Sequence, residues 1–255
     1  MEITLILFIS VIVISLFCEF IDASIGMGYG TSLTPILLIM GFGPLQVVSA
    51  VLLGQMVGGF LGGISHYRFK NVKLDSFKSD DAKVIFILAG FGIIGALIAV
   101  FFAVNIPSIY LKTYIGLMVF CIGIYIIIRR NNEDKTSWSK LIFIAILGAF
   151  NKGSSGGGYG PLVTGGQLIS GRNSKNSVGV TTIAETVICI VAFIGYLFTS
   201  TIFWKLAFAT SIGSIVAGPL AAFTVSKVNE KNLKIVIGII TCILGILTLL
   251  KTYIF

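Results

Sequence analysis

The chain is short of everything a water-facing surface needs. Only 11% of its 255 residues are charged, against about 25% in ordinary soluble domains, so a soluble globular fold is excluded. It has a single histidine, His66, which leaves little material for nucleophilic or metal chemistry. Its four cysteines, Cys18, Cys121, Cys189 and Cys242, lie apart inside apolar runs with no CxxC spacing. They read as small apolar filler rather than as metal or redox ligands. No cofactor motif is present, and no polar segment is long enough to fold as a domain outside a membrane. The opening MEITLILFIS carries neither Lys nor Arg before its apolar run. A secretory signal needs a basic n-region, so the first helix is expected to be retained.

What is present is apolar sequence in lengths that span a bilayer. Residues 84–104, 109–128, 178–198, 207–225 and 233–250 are the clearest runs, each meeting the roughly 18 residues that mark a transmembrane helix. The mean hydropathy is +1.03. The expected class is an all-α polytopic protein of the cell membrane, with the lipid bilayer as its first partner. The net charge of +8 does not point to nucleic acid, because fourteen of the eighteen basic residues fall in four loops, 66–83, 129–140, 170–177 and 227–234. Such loops face the cytoplasm.

Glycine is abundant, and much of it sits in two places. GMGYGTSLTPILLIMGFG at 26–43 and GGGYGPLVTGGQLISGRN at 156–173 align without gaps at an offset of 130. The alignment pairs Gly28-Tyr29-Gly30 with Gly158-Tyr159-Gly160 and Thr34 with Thr164. Extended, it pairs Asp22 with Lys152 and Gln55 with Glu185. All four basic loops share one side if each half crosses five times, counting the short segment after each motif. An odd number of crossings inverts the second half relative to the first. The expectation is therefore two inverted repeats of five membrane segments, residues 1–130 and 139–255, with helices broken at the glycine motifs.

Broken helices in inverted repeats are a transporter design, with substrate held near the midplane. Non-helical backbone cannot face lipid, so it persists where it lines a cavity or a solute. The short segments 31–40 and 161–169 would present helix N-termini there, with Pro161 at a first helical position. Their free N–H groups attract anions. The candidate substrate-binding residues are Gly28, Tyr29, Gly30, Thr31, Ser32 and Thr34, with Asn151, Lys152, Ser154, Ser155, Gly158, Tyr159, Gly160 and Thr164; Ser24 stands close by. Replacing Lys152 is expected to weaken binding and leave folding intact. Intramembrane ionisable groups are costly and mark function, so Glu19, Asp22, Gln55 and Glu185 are candidates for proton or sodium coupling. Glu185 is alternatively a salt-bridge partner for Lys152, and Asp22 could sit at the membrane edge.

Other classes fit less well. The second motif lacks the Gly-Lys-Ser/Thr of a phosphate-binding loop. An intramembrane protease would need a base near Ser154 or Ser155, whereas His66 falls at a helix end and reads as interfacial. A passive channel is the stronger rival, because G-Y-G loops also line selectivity filters. Those filters use one loop per subunit, not two inverted loops in one chain.

The stretch EFIDASIGMGYGTSLTPILLIMGFGPLQVVSAVLLGQMVGGFLGGISHYRFKNV at 19–72 resembles the first repeat of the TauE/SafE sulfite-exporter family. Phe20-Ile21-Asp22, Gly26 to Gly30, Pro35-Ile36-Leu37, Gly41 with Pro44, and Tyr67-Arg68 match in order. Residues 148–171 match the second repeat more loosely. The resemblance implies a transporter of small sulfur-containing anions such as sulfite, sulfonates or sulfoacetate-like compounds, driven by an ion gradient. Met27 and Tyr29 interrupt the first glycine run, and Asn151-Lys152 and Pro161 depart from the second, all at the expected site.

Overall fold

The structure, a computed structural model, describes residues 4–74, 76, 79–102, 108–128, 138–199 and 202–254. These form α1 (Leu5–Ile25), α2 (Tyr29–Ile39), α3 (Pro44–Arg68), α4 (Asp80–Phe102), α5 (Ser108–Ile128), α6 (Trp138–Ser155), α7 (Tyr159–Ile169), α8 (Ser174–Thr199), α9 (Trp204–Lys227) and α10 (Glu230–Ile254), with no strand among the described residues. Five of them, α1, α3, α4, α8 and α9, are long and apolar enough to cross a membrane. The short helices α2 and α7 have 11 residues each, about 16 Å at 1.5 Å per residue, roughly half a hydrocarbon core.

The first helix is turned inside out relative to a soluble one. On α1, Ile6, Ile9, Val13, Phe17 and Ile21 are exposed while Ser15, Glu19 and Asp22 are buried. In lipid the apolar face belongs outside, and polar groups must find one another within the bundle.

Glycine backbone geometry ends the helices before the short segments. Gly26 has φ 75° and closes α1 by donating its N–H to the Asp22 carbonyl at 2.6 Å. Gly156, φ 72°, does the same for α6 on the Lys152 carbonyl at 2.8 Å. Left-handed φ carries a steric penalty for any residue with a Cβ. The short helices start two residues earlier than the sequence suggested, at Tyr29 and Tyr159. Pro161 is thus the third helical residue rather than the first; it is tolerated because first-turn N–H groups have no intrahelical acceptor. Likewise α4 begins at Asp80 rather than at residue 84, with Asp80 and Asp81 in its first turn, where carboxylates oppose the helix dipole favourably.

The fourth helix of each half packs on the other half. α9 lies against α1 and α3, and α4 lies against α6 and α8; α5 pairs with α10. At the centre α3 and α8 cross antiparallel, with Gly59 beside Thr186, Gly63 beside Ile183 and Gly179 beside His66. Glycines on α3 let these backbones approach.

Polar loops gather at one end. Asp81 pairs with the Arg172 guanidinium and also accepts from Asn176 Nδ2 at 2.5 Å and the Lys73 N–H at 2.8 Å. Lys175 Nζ donates to the Ser226 carbonyl at 2.9 Å. Lys78, Arg129, Arg130 and Lys135 lie outside the described residues. His66, in the last turn of α3, does not face outward. It is fully buried, with Nε2 at 3.0 Å from the Ala23 carbonyl and Nδ1 at 3.1 Å from Asn71 Nδ2.

Candidate functional site

The two glycine breaks touch. A Cβ on Gly30 would overlap the Gly156 carbonyl, and one on Gly160 would overlap the Gly26 carbonyl. Only residues without side chains let the two backbones meet this closely. Two hydroxyls fasten the junction: Thr164 Oγ1 donates to the Gly26 carbonyl at 2.8 Å, and the Gly158 N–H donates to Thr31 Oγ1 at 3.2 Å. Thr164 is also 2.9 Å from Thr181 Oγ1.

Beside this junction runs a chain of four polar side chains, and they are the two pairs related by the offset of 130. Lys152 Nζ is 2.8 Å from Glu185 Oε1 and donates to Gln55 Oε1 at 2.5 Å. Gln55 Nε2 in turn donates to Asp22 Oδ2 at 2.6 Å. The other Asp22 oxygen accepts the Tyr29 N–H at 2.9 Å. Lys152 is 1% exposed, Asp22 and Glu185 3% and Gln55 2%, so this is a buried ion pair extended by an amide to a second carboxyl group. Asp22 is buried within the helix bundle. Lys152 pairs with Glu185, so an alanine at 152 would leave the Glu185 carboxyl without its cation.

The remaining candidates divide by half. Tyr29 is fully buried, and its hydroxyl lies 2.9 Å from Ser15 Oγ and 3.1 Å from Ser214 Oγ. Tyr159 is equally buried, but its hydroxyl has no hydrogen-bond partner among the described residues. Thr34 Oγ1 and Ser24 Oγ are also unpartnered, and Thr34 lies against Gly156. Gly28, φ 129°, and Gly158, φ 79°, precede α2 and α7. The Ser32 N–H donates to the Gly28 carbonyl at 2.8 Å. Asn151 is fully buried, and its carbonyl accepts from Ser154 Oγ at 3.2 Å. The Ser155 side chain lies outside the described residues. Glu19 is fully buried on α1 with its carboxyl against Gly58.

Sequence reasoning passed over Ser15, Thr210 and Ser214, which surround the Tyr29 hydroxyl, and Gln167, which donates to Thr181 Oγ1 at 2.8 Å. A hydroxyl in an apolar helix gives no signal of its own, since it can simply bond back one turn, as Ser214 does to the Thr210 carbonyl at 3.1 Å. His66 is engaged by the Ala23 carbonyl and Asn71. Among the described residues no cluster suits a metal ion.

Comparison with known proteins gives a family and a relative. The family model described as sulfite exporter TauE/SafE matches residues 11–248. The chain is 28% identical to the "Probable membrane transporter protein YtnM" of Bacillus subtilis (strain 168), over 94% of this chain and 82% of that protein. No solved structure matches.

Proposed function

Since the chain belongs to the sulfite exporter TauE/SafE family, we propose that it is a secondary carrier of small sulfur oxyanions, sulfite or sulfonates, bound at the N-terminus of α7 beside Lys152. That it is a multi-pass membrane transporter follows from the family and from its apolar helices; the substrate, site and mechanism are our reading. The observation that carries it is the buried Lys152 ammonium, shared between Glu185 of its own half and Gln55 of the other.

The two helix N-termini at the junction are not equivalent. Asp22 already supplies a carboxylate to the start of α2 through the Tyr29 N–H. At the same place before α7 stands Lys152, a cation. An oxyanion is therefore best held at α7, by the helix dipole and the N–H groups of Tyr159 and Gly160, and by Lys152 and Asn151. Thr31, Ser32 and Thr34 face the same point from α2, with Gly28, Tyr29 and Gly30 shaping the junction.

Inverted repeats over 1–130 and 139–255 are supported by the antiparallel α3/α8 crossing and by the exchange of α4 and α9 between halves. The clustered basic loops favour a cytoplasmic face at the Asp81–Arg172 end. Alternating access is then a rocking of the halves about the junction.

A thermal-shift panel of sulfite, sulfonates, sulfate and carboxylates tests the site, since a ligand at a hundred times its Kd adds about 2.7 kcal/mol of apparent stability. The double variant Lys152→Met with Glu185→Gln removes the ion pair without leaving Glu185 as an unpaired charge. It is expected to remain folded and lose the shift; a shift equal to wild type would remove Lys152 from the site. Saturable, trans-stimulated counterflow in proteoliposomes separates a carrier from a channel.

A further inference from the structure

We propose that Glu19 is the site of a coupling proton, taken up and released once for each anion carried. This rests on the carrier reading above and adds the identity of the driving ion. Glu19 is fully buried on α1, one turn before Asp22, and neither carboxyl oxygen has a hydrogen-bond partner among the described residues. Room for it is specific to the first half. A Cβ on Gly58 would stand 2.7 Å from the Glu19 carboxyl carbon and Oε1, and 2.7 Å from Ser214 Cβ. At the offset of 130 the second half has Ala149 and Ile188, both in a buried apolar cluster. One half fills this space with carbon, while the other holds an acid.

The ionisable groups near Glu19 come from four helices. α1 brings Cys18 and Asp22, α2 brings Tyr29, α6 brings Lys152, and α8 brings Glu185 and Cys189. α3 adds Gln55 and, beside Ala23, His66; α9 adds the hydroxyls of Thr210 and Ser214. The three carboxyls are not alike. Asp22 accepts two hydrogen bonds, from Tyr29 and Gln55, and Glu185 has the Lys152 ammonium. Glu19 has neither donor nor cation. Three carboxylates against one ammonium leave the cluster two charges negative, and an entering oxyanion adds to that in a medium where unpaired charge is costly. One proton on Glu19 offsets the charge of a monovalent anion.

The packing suits a proton rather than a metal cation. A hard cation takes about six oxygens. The hydroxyls nearest Glu19 are already joined: Ser15 Oγ lies 2.9 Å from the Tyr29 hydroxyl and 2.7 Å from the Thr210 carbonyl, and Ser214 Oγ lies 3.1 Å from the Tyr29 hydroxyl. A proton needs no shell. Glu19 takes it from water as the carboxylate on the side where the anion enters and returns it to water on the other.

The test uses the full chain in proteoliposomes with sulfite, methanesulfonate and 2-hydroxyethanesulfonate as probes, the two sulfonates being ionised at every pH used. With one proton per monovalent anion, a gradient of one pH unit drives about tenfold accumulation on the alkaline side, and an imposed membrane potential adds nothing. In Glu19→Gln that ratio falls to about one, and Glu19→Asp recovers part of it. Gly58→Ala displaces the carboxyl without removing it and lowers the ratio as well. In weakly buffered detergent solution, wild type takes up a proton on binding methanesulfonate and Glu19→Gln does not, which reads the site even where transport by a variant is poor. A Glu19→Gln protein that answers the pH gradient as wild type does overturns the proposal and leaves the carrier reading standing. So does a wild type driven by sodium and indifferent to pH. Wild type that exchanges none of the three probes overturns the carrier reading, and the proton site with it.

Discussion

The two helix breaks have the same backbone and opposite chemistry. At α1/α2, Tyr29 points its hydroxyl into a nest of Ser15 and Ser214, and an aspartate holds the start of the short helix. At α6/α7 the equivalents of Ser15 and Ser214 are Ala145 and Val84. Tyr159 lies with both in an apolar cluster, its hydroxyl unpartnered, and a lysine replaces the aspartate. At the first break the tyrosine hydroxyl and the start of the short helix both have side-chain partners, whereas at the second the tyrosine hydroxyl has none among the described residues and a buried cation precedes the short helix. The two breaks meet through their glycine backbones and differ in the side chains around them.

The sharpest way to break this comparison is at its charged positions. Lys152→Ala leaves the Glu185 carboxylate buried and unpaired and should cost about 3–5 kcal/mol, read as a large fall in the apparent melting temperature. The paired Lys152→Met with Glu185→Gln should recover most of that loss. Equal stability of the single and double variants would mean that the pair is not the source of the cost.

Next in size are the crossing glycines. Gly30→Ala and Gly160→Ala each drive a methyl into a carbonyl of the other motif, and overpacking of this kind costs about 1–3 kcal/mol or more. The two should be similar, because the contact is reciprocal. A clear inequality would show that the junction yields on one side.

The tyrosines separate the halves directly. Tyr29→Phe strips a hydroxyl that has two partners and should cost about 1 kcal/mol. Tyr159→Phe removes an unpartnered one and should leave the ligand-free protein as stable or more so. Smallest of all is the threonine pair. Thr164→Val loses bonds to Gly26 and Thr181 and should cost about 1 kcal/mol, while Thr34→Val should stay within about 0.5 kcal/mol. Denaturation midpoints of the purified variants check both sets.

Much of this was legible beforehand. Apolar length marked the long spans, and the offset of 130 singled out Asp22, Gln55, Lys152 and Glu185 before any contact was known. Their wiring was not legible. Nothing in the order of residues says that Lys152 bonds to Gln55 of the other half, because that contact exists only where α3 and α8 cross. Nor did it mark Ser15 or Ser214, whose partner is a tyrosine hydroxyl on another helix.

The sequence by itself determined which stretches are helical, where they break and which positions correspond. Lipid forces backbone bonds to close within each segment, and glycine alone tolerates the left-handed turns at 26 and 156 without strain. Only the tertiary structure decided which buried charges found partners. A carboxylate in a low-dielectric bundle is stabilised only by a donor or cation within about 3 Å of it, and that distance is set by helix packing rather than by chain order.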